Sequence, residues 1–245
     1  MTTFSRRRVL EIGAGTSLFA LLAACSSDEQ VSEGAQATAD SDAAATTSEA
    51  AEASWERINL GFVSAYLLVR GGEATLLDTG NQGDEGDIEA MLTSAGLGWG
   101  GLSTVILTHS HGDHVGSAAA IAQAAPEAAF YAGKPDLAAI DIGREVIGVD
   151  DQQKVANLTI IATPGHTPGH IAALDTERSV LLAGDALISD DGALALPNPD
   201  FTPDYDEALK SVEAMAQLTF ASAYVGHGDP VLTGADAQVR GLANS

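Results

Sequence analysis

The chain contains six histidines, His109, His111, His114, His166, His170 and His227. Each directly follows a hydrophobic run or sits in a glycine-rich turn, places where side chains converge without interrupting a helix or a sheet ladder. The densest group is Thr108-His109-Ser110-His111-Gly112-Asp113-His114. Residues two apart on extended chain point the same way, so His109 and His111 can grip one cation. Gly112 permits a sharp turn, after which Asp113 and His114 diverge and can face a second cation. Neutral imidazole and carboxylate are ligands that suit zinc, and the only cysteine, Cys25, lies far away in sequence. Three histidines and an aspartate within six positions point to metal binding rather than to ordinary polar residues.

Three later pieces extend the pattern. Thr163-Pro164-Gly165-His166-Thr167-Pro168-Gly169-His170 is a rigid turn with histidines four apart. Leu181-Leu182-Ala183-Gly184-Asp185 ends a hydrophobic run on an aspartate, and Tyr224-Val225-Gly226-His227-Gly228 ends another on a histidine. Taken singly, each could be a turn-forming polar residue.

In this order the pieces resemble the metallo-β-lactamase superfamily, over essentially all of residues 55–245. The resemblance implies an α/β fold, a four-layer αββα sandwich of the metallo-β-lactamase type. It assigns His109, His111 and His166 to one metal, Asp113, His114 and His227 to another, and makes Asp185 the bridge. Leu76-Leu77-Asp78-Thr79-Gly80 matches the family's early strand-end motif, which implies Asp78 as a support beneath the His109 to His114 loop. His170 matches no ligand position and is expected either behind the ligands, as part of the pocket wall, or on the solvated surface.

The chemistry that follows is hydrolysis by two Zn2+ ions, with Fe or Mn as possible replacements. Paired cations acidify the water between them, polarise a carbonyl and need no serine or cysteine nucleophile. Asp113 is the expected catalytic acid–base group, orienting the nucleophile or passing a proton to the leaving group. Asp185 stands where two classes of true metallo-β-lactamase carry a zinc-binding cysteine, which disfavours antibiotic hydrolysis. The expected substrate is a small ester, lactone, thioester or amide. Two alternatives stay open: a mononuclear iron sulfur-dioxygenase of the same fold, and a non-catalytic metal-binding lipoprotein.

Those residues need strands to deliver them. Phe62 to Arg70 and Ala74 to Asp78 read as a hairpin about Gly71-Gly72-Glu73. Asp84 to Ala95 has helical spacing, with Ile88, Met91, Leu92 and Ala95 on one face and Gly96 as its stop. Ser103 to Thr108 reads as a buried strand, Val115 to Ala125 as a helix halted by Pro126, and Ala128 to Tyr131 as a strand. A second strand series follows at Leu158 to Ala162, His170 to Asp175, Val180 to Ala183 and Ser222 to Val225. Asp204 and Glu207 have capping-box spacing before a helix whose predicted face is Tyr205, Leu209, Val212 and Ala216. The irregular segments Gly61 to Tyr66, Arg144 to Asn157 and Ala186 to Phe201 are expected to shape the pocket.

The 245 residues allow one large domain or two small ones, and 45% hydrophobic content is enough for a core. Eleven basic against 34 acidic residues give a net charge of −23, which repels phosphate backbones, so nucleic acid is not an expected partner. A single cysteine excludes an internal disulfide.

Residues 1–24 read as a signal peptide. Arg6, Arg7 and Arg8 precede an apolar stretch from Ile12 to Ala24 that is too short to span a bilayer, resembling a twin-arginine export signal. Leu22-Ala23-Ala24-Cys25 looks like a lipobox, which makes Cys25 the lipidation site and the membrane anchor. Residues 25–54 read as a lipidated cysteine followed by a disordered acidic linker, since Ser26 to Ser54 holds seven acids, no basic residue and no aromatic. Residues 55–245 form the expected hydrolase domain, exported, anchored at the extracytoplasmic face of the membrane and acting on a small molecule.

Overall fold

The structure, a computed structural model, describes residues 54–245. The export signal, Cys25 and the acidic linker lie outside the described residues except for Ser54. Among the described residues no helix is long and apolar enough to cross a membrane.

Two sheets carry the domain. The first comprises β1 (Trp55–Asn59), β2 (Ser64–Arg70), β3 (Glu73–Leu77), β4 (Leu102–Leu107), β5 (Ala129–Gly133) and β6 (Ile147–Val149), paired in that order. The second comprises β7 (Lys154–Val155), β8 (Leu158–Ala162), β9 (Ile171–Asp175), β10 (Val180–Gly184) and, after the small hairpin β11 (Ile188–Asp190) and β12 (Ala193–Ala195), β13 (Ser222–Val225). Its order is β13-β10-β9-β8-β7. The helices are α1 (Glu85–Ser94), α2 (Gly112–Val115), α3 (Ala118–Ala124), α4 (Tyr205–Met215) and α5 (Ala235–Leu242).

Strand alternation sorts side chains into layers. On β2, Ala65 and Leu67 face one way and join Ile88, Leu92 and Ile121 of α1 and α3, while Tyr66 and Leu68 face the other. Ile106 on β4 follows Tyr66, whereas Val105 and Leu107 follow Leu67. Tyr66, Leu68, Leu77 and Ile106 meet Leu158, Ile160, Ala173 and Leu182 of the second sheet in a middle core. The opposite face of that second sheet, through Ala172, Leu181 and Ala223, packs on Val212 and Met215 of α4 and Val239 of α5. Helix, sheet, sheet, helix is the order of layers, the expected αββα sandwich.

The hairpin between β2 and β3 turns at Gly71 and Gly72, both at positive φ, as a two-residue turn of that hand requires. The single helix expected from Val115 to Ala125 is instead two, α2 and α3. Gly116 lies between them, where a Cβ would overlap the backbone of Asn81 and Gln82. Ser117 Oγ donates to Asn81 O at 2.6 Å and accepts from Asp84 N at 2.9 Å, which pins the break to the start of α1. Asp204 caps α4 by accepting from Glu207 N at 3.1 Å. The buried face of α4 is Ala208, Ser211, Val212 and Met215, so Tyr205 and Leu209 flank the core rather than fill it.

Candidate metal centre

Every candidate ligand leaves the end of a strand or enters a turn at one edge of the sandwich. Thr108 directly follows β4 and leads into the His109–His114 segment. Gly112 opens α2 at a negative φ rather than making a sharp turn, and Asp113 and His114 converge instead of diverging, with His114 Nε2 and Asp113 Oδ2 3.8 Å apart. His166 sits in the turn between β8 and β9, Asp185 follows β10, and His227 follows β13.

The hydrogen-bond network assigns the proton on most of these rings. Thr108 Oγ1 donates to Asp78 Oδ2 at 2.8 Å, so at 3.0 Å it must accept from His109 Nδ1. Thr202 Oγ1 donates to Asn198 O and accepts from His166 Nδ1 at 3.3 Å. His114 Nδ1 donates to Asp78 Oδ2 at 2.8 Å, and His227 Nδ1 donates to the carbonyl of Phe62 at 2.7 Å. In all four rings Nδ1 carries the outward hydrogen bond and Nε2 is turned inward.

The inward atoms meet. Nε2 of His109 and Nε2 of His166 approach Nδ1 of His111 at 3.0 and 2.9 Å. His227 Nε2 lies 3.4 Å from Asp113 Oδ2. The Asp185 carboxylate stands between the two groups: Oδ2 is 3.3 Å from His166 Nε2 and 3.1 Å from His227 Nε2, and Oδ1 is 3.3 Å from His114 Nε2. Ligand atoms within 4.8 Å of one another form three sets that could hold an ion, His109/His111/His166, His109/His114/Asp185 and Asp113/His114/His227. His114 Nε2 and Asp185 Oδ1 are buried without a hydrogen-bond partner among the described residues. Buried lone pairs crowded at this spacing are unfavourable by themselves and suit a cation held by nitrogen and oxygen ligands at roughly 2.0–2.2 Å.

The charges within the cluster are uneven. Burial holds the His109 imidazolium well below its ordinary pKa, with His114 adding to the effect, and burial drives His166 down to about 4. Burial opposes a proton on His114 too, but Asp185 and Asp78 outweigh it and the net direction is upward. Hydrogen bonds to Asp113 and Asp185 raise His227 to about 10. The His227 contact lowers Asp113, and Asp185 is held well below the usual carboxylate range by His114, against the effect of burial.

Asp78, the expected support, is buried at positive φ, a conformation that aspartate tolerates better than most residues. Its Oδ1 accepts from Thr108 N at 2.7 Å and its Oδ2 receives both Thr108 Oγ1 and His114 Nδ1. His170 is buried, not solvated, and lies behind the ligands rather than on the cavity wall.

A second carboxylate escapes the sequence reading. Asp136, buried in the 3-10 turn Lys134–Ala139, accepts from Ser110 N at 3.0 Å, Thr167 Oγ1 at 2.7 Å and Gly169 N at 2.7 Å. It clips the His109–His114 segment to the His166–His170 turn. The only local signal was Gly133-Lys134-Pro135-Asp136 at the end of a strand, a pattern that reads as an ordinary turn.

A cavity of about 520 Å³ opens over this cluster. His111, Asp113, His166, Asp185 and His227 line it together with Phe62, Ile188, Asn198 and Phe201. Two of the three irregular segments thus contribute to the pocket. Arg144 to Asn157 does not, because it forms β6 and β7 at the far edges of the two sheets.

Residues 58–227 match the model of the metallo-beta-lactamase superfamily. The chain belongs to that superfamily. It is one of its metallo-hydrolases, with histidine and aspartate groups suited to a divalent metal. It is 31% identical to the uncharacterized protein YobT of Bacillus subtilis, over 68% of this chain and 83% of YobT. It is 30% identical to the probable metallo-hydrolase YflN of the same organism, over 53% of this chain and 66% of YflN. It is 28% identical to the thioesterase pkgB of Emericella nidulans, over 69% of this chain but only 46% of that protein. Solved structures share its fold. The family protein TTHA1429 from Thermus thermophilus has a TM-score of 0.62 at 24% identity, covering 78% of both chains. TTHA1623 in a di-iron-bound form has a TM-score of 0.60 at 24% identity, covering 72% of this chain and 93% of the other.

Proposed function

We propose that this protein is a dinuclear zinc hydrolase of a small ester, lactone, thioester or amide. The observation that carries the reading is the Asp185 carboxylate, set between two complete groups of inward-facing ligand atoms at the buried end of one cavity. His109, His111 and His166 would hold one ion, Asp113, His114 and His227 the other, and Asp185 both. When bound, such cations acidify water toward neutrality and polarise a substrate carbonyl.

The chain's own groups then have distinct tasks. Asp78, Thr108, Thr202 and the Phe62 carbonyl hold the imidazoles in the tautomer that leaves Nε2 free. Asp113 is partly exposed to the cavity and close to both His114 and His227, which suits it to orient water or carry a proton to a leaving group. The relative named a thioesterase favours an acyl substrate, and the di-iron-bound fold neighbour makes iron the metal to test against zinc.

The reading extends to the amino-terminal segment. The twin-arginine-like signal and the lipobox-like Leu22 to Cys25 support export and anchoring through a lipid on Cys25. Cys25→Ser should then release the protein from the membrane fraction, and Arg6→Lys with Arg7→Lys should block its export.

Protein purified without added metal should carry two zinc ions, and His111→Ala should lose at least about a hundredfold in turnover of whichever ester, lactone, thioester or amide is accepted. One iron with thiol-dependent oxygen uptake would replace the hydrolase with an oxygenase. Equal rates for both proteins would leave a metal-binding protein without catalysis.

A further inference from the structure

The rim of the cavity tells what kind of substrate it admits. Four large hydrophobic side chains are exposed among the described residues, Phe62, Ile147, Phe201 and Leu232. Two of them, Phe62 at 65% and Phe201 at 66% exposure, line the cavity over the ligand cluster. Isolated exposed apolar residues need no explanation, but aromatic rings gathered at the mouth of a polar site are unfavourable in water unless something apolar covers them.

Both rings are held in place by structure at their bases. The Phe62 ring stacks on His227, with centroids 5.8 Å apart and planes within 4°, while its carbonyl fixes the same imidazole. Phe201 ends the short turn Pro199–Phe201, closed by Phe201 N donating to Asn198 O at 3.1 Å and Asp200 N donating to Asn198 Oδ1 at 3.0 Å. The half-buried Ile188 adds a third apolar wall.

The polar side of the cavity is equally selective. None of its lining residues is lysine or arginine. A carboxylate or phosphate outside the scissile group would find no lysine or arginine to pair with there, on a chain whose net charge is −23. Asn198 is the single neutral amide among the lining residues, and because its Oδ1 is engaged by Asp200 N it offers a ligand its N–H group.

We propose that the substrate is an uncharged ester or thioester whose apolar acyl group covers Phe62, Ile188 and Phe201. This rests on the hydrolase reading above and adds what that reading leaves open, the charge and polarity of the group flanking the scissile bond. Attack by water breaks the acyl carbon–oxygen or carbon–sulfur bond, giving the acid and the free alcohol or thiol, with the proton from water passing to the leaving group.

The test uses the metal-loaded full chain with p-nitrophenyl acetate, hexanoate and monosuccinate. The expected result is kcat/KM about tenfold or more higher for hexanoate than for acetate, with monosuccinate below both. Phe62→Ala and Phe201→Ala should each shrink the hexanoate-to-acetate ratio by about threefold or more. A readout independent of turnover is the fluorescence of N-phenyl-1-naphthylamine, an uncharged apolar probe, on the metal-free chain. Its enhancement should weaken in both variants. A flat chain-length profile, a preference for monosuccinate, or probe binding indifferent to both substitutions overturns the proposal while leaving the hydrolase reading intact. Absence of turnover with all esters, thioesters, lactones and amides sinks the hydrolase reading, and the probe still decides whether the mouth binds apolar groups.

Discussion

The backbone N–H of Asp185 donates to Nε2 of His170 at 3.0 Å. That bond fixes the tautomer, because an imidazole nitrogen that accepts cannot carry a proton, so His170 Nδ1 is the donor to Thr163 Oγ1 at 2.8 Å. Burial drives the His170 pKa down to about 3, keeping the ring neutral as this bond demands. His170 is therefore a positioning residue: it holds the backbone from which the Asp185 carboxylate reaches between the two ligand groups.

His170→Ala should leave that amide buried and unpaired, at about 1–3 kcal/mol of stability in chemical denaturation with chelator present. Ion affinity should fall by about 10- to 100-fold. His170→Asn or His170→Gln, which retain an acceptor, should recover part of both. If His170→Ala binds metal as tightly as the parent, the positioning role is wrong.

Asp136 offers a test of how the two ligand-bearing segments are joined. Asp136→Asn keeps the shape but leaves one amide oxygen and one NH2 group, itself a donor, facing three donors. We expect a loss of about 1.5–3 kcal/mol, since hydrogen bonds to a charged group are at stake. Thr167→Val removes only one of the three. A double-mutant cycle of the two should give a coupling of at least about 0.5 kcal/mol, and strict additivity would show that the clip is not energetically real.

The uneven protonation of the cluster sets the pH dependence of metal loading. In the metal-free protein His166, lowered to about 4, is already neutral at pH 7, whereas His227, raised to about 10, holds its proton. The raised His227 stabilises the metal-free fold fully below its unfolded value near 6.5, and that contribution is lost as pH rises toward 10. A cation must displace that proton. Calorimetric titration in buffers of different ionisation enthalpy should show one ion entering with little proton release, and a second releasing protons and binding more tightly as pH rises from 6 to 8. Two ions with the same pH-independent affinity would contradict the assigned charges.

Gly226 follows β13 and packs directly against the site. A Cβ there would overlap Asp185 Oδ1 and lie 2.7 Å from His114 Cε1. Gly226→Ala should displace Asp185 or His114 and cut metal affinity by about 10-fold or more, with global stability falling less than in the His170 variants. Gly100→Ala, where nothing lies within 4 Å of the added carbon, is the control. Full metal affinity in Gly226→Ala would mean that the ligands tolerate movement.

The amino-acid sequence by itself determined the residue types and their placement at strand ends. Histidine and aspartate spacing marked the ligand candidates, apolar runs marked β2 and β4 as strands, and Asp204 with Glu207 marked the start of α4. These are local properties, encoded within a few residues of where they act. Tertiary structure alone decided the break at Gly116, because it arises where α2 packs on the backbone of Asn81 and Gln82, 34 or more residues away in the chain. It also decided the role of His170, which depends on an amide 15 residues further on, and revealed Asp136, whose three partners come from two segments outside its own turn. A buried polar group has meaning only through its partners, and when those partners are far apart in sequence no local pattern announces them.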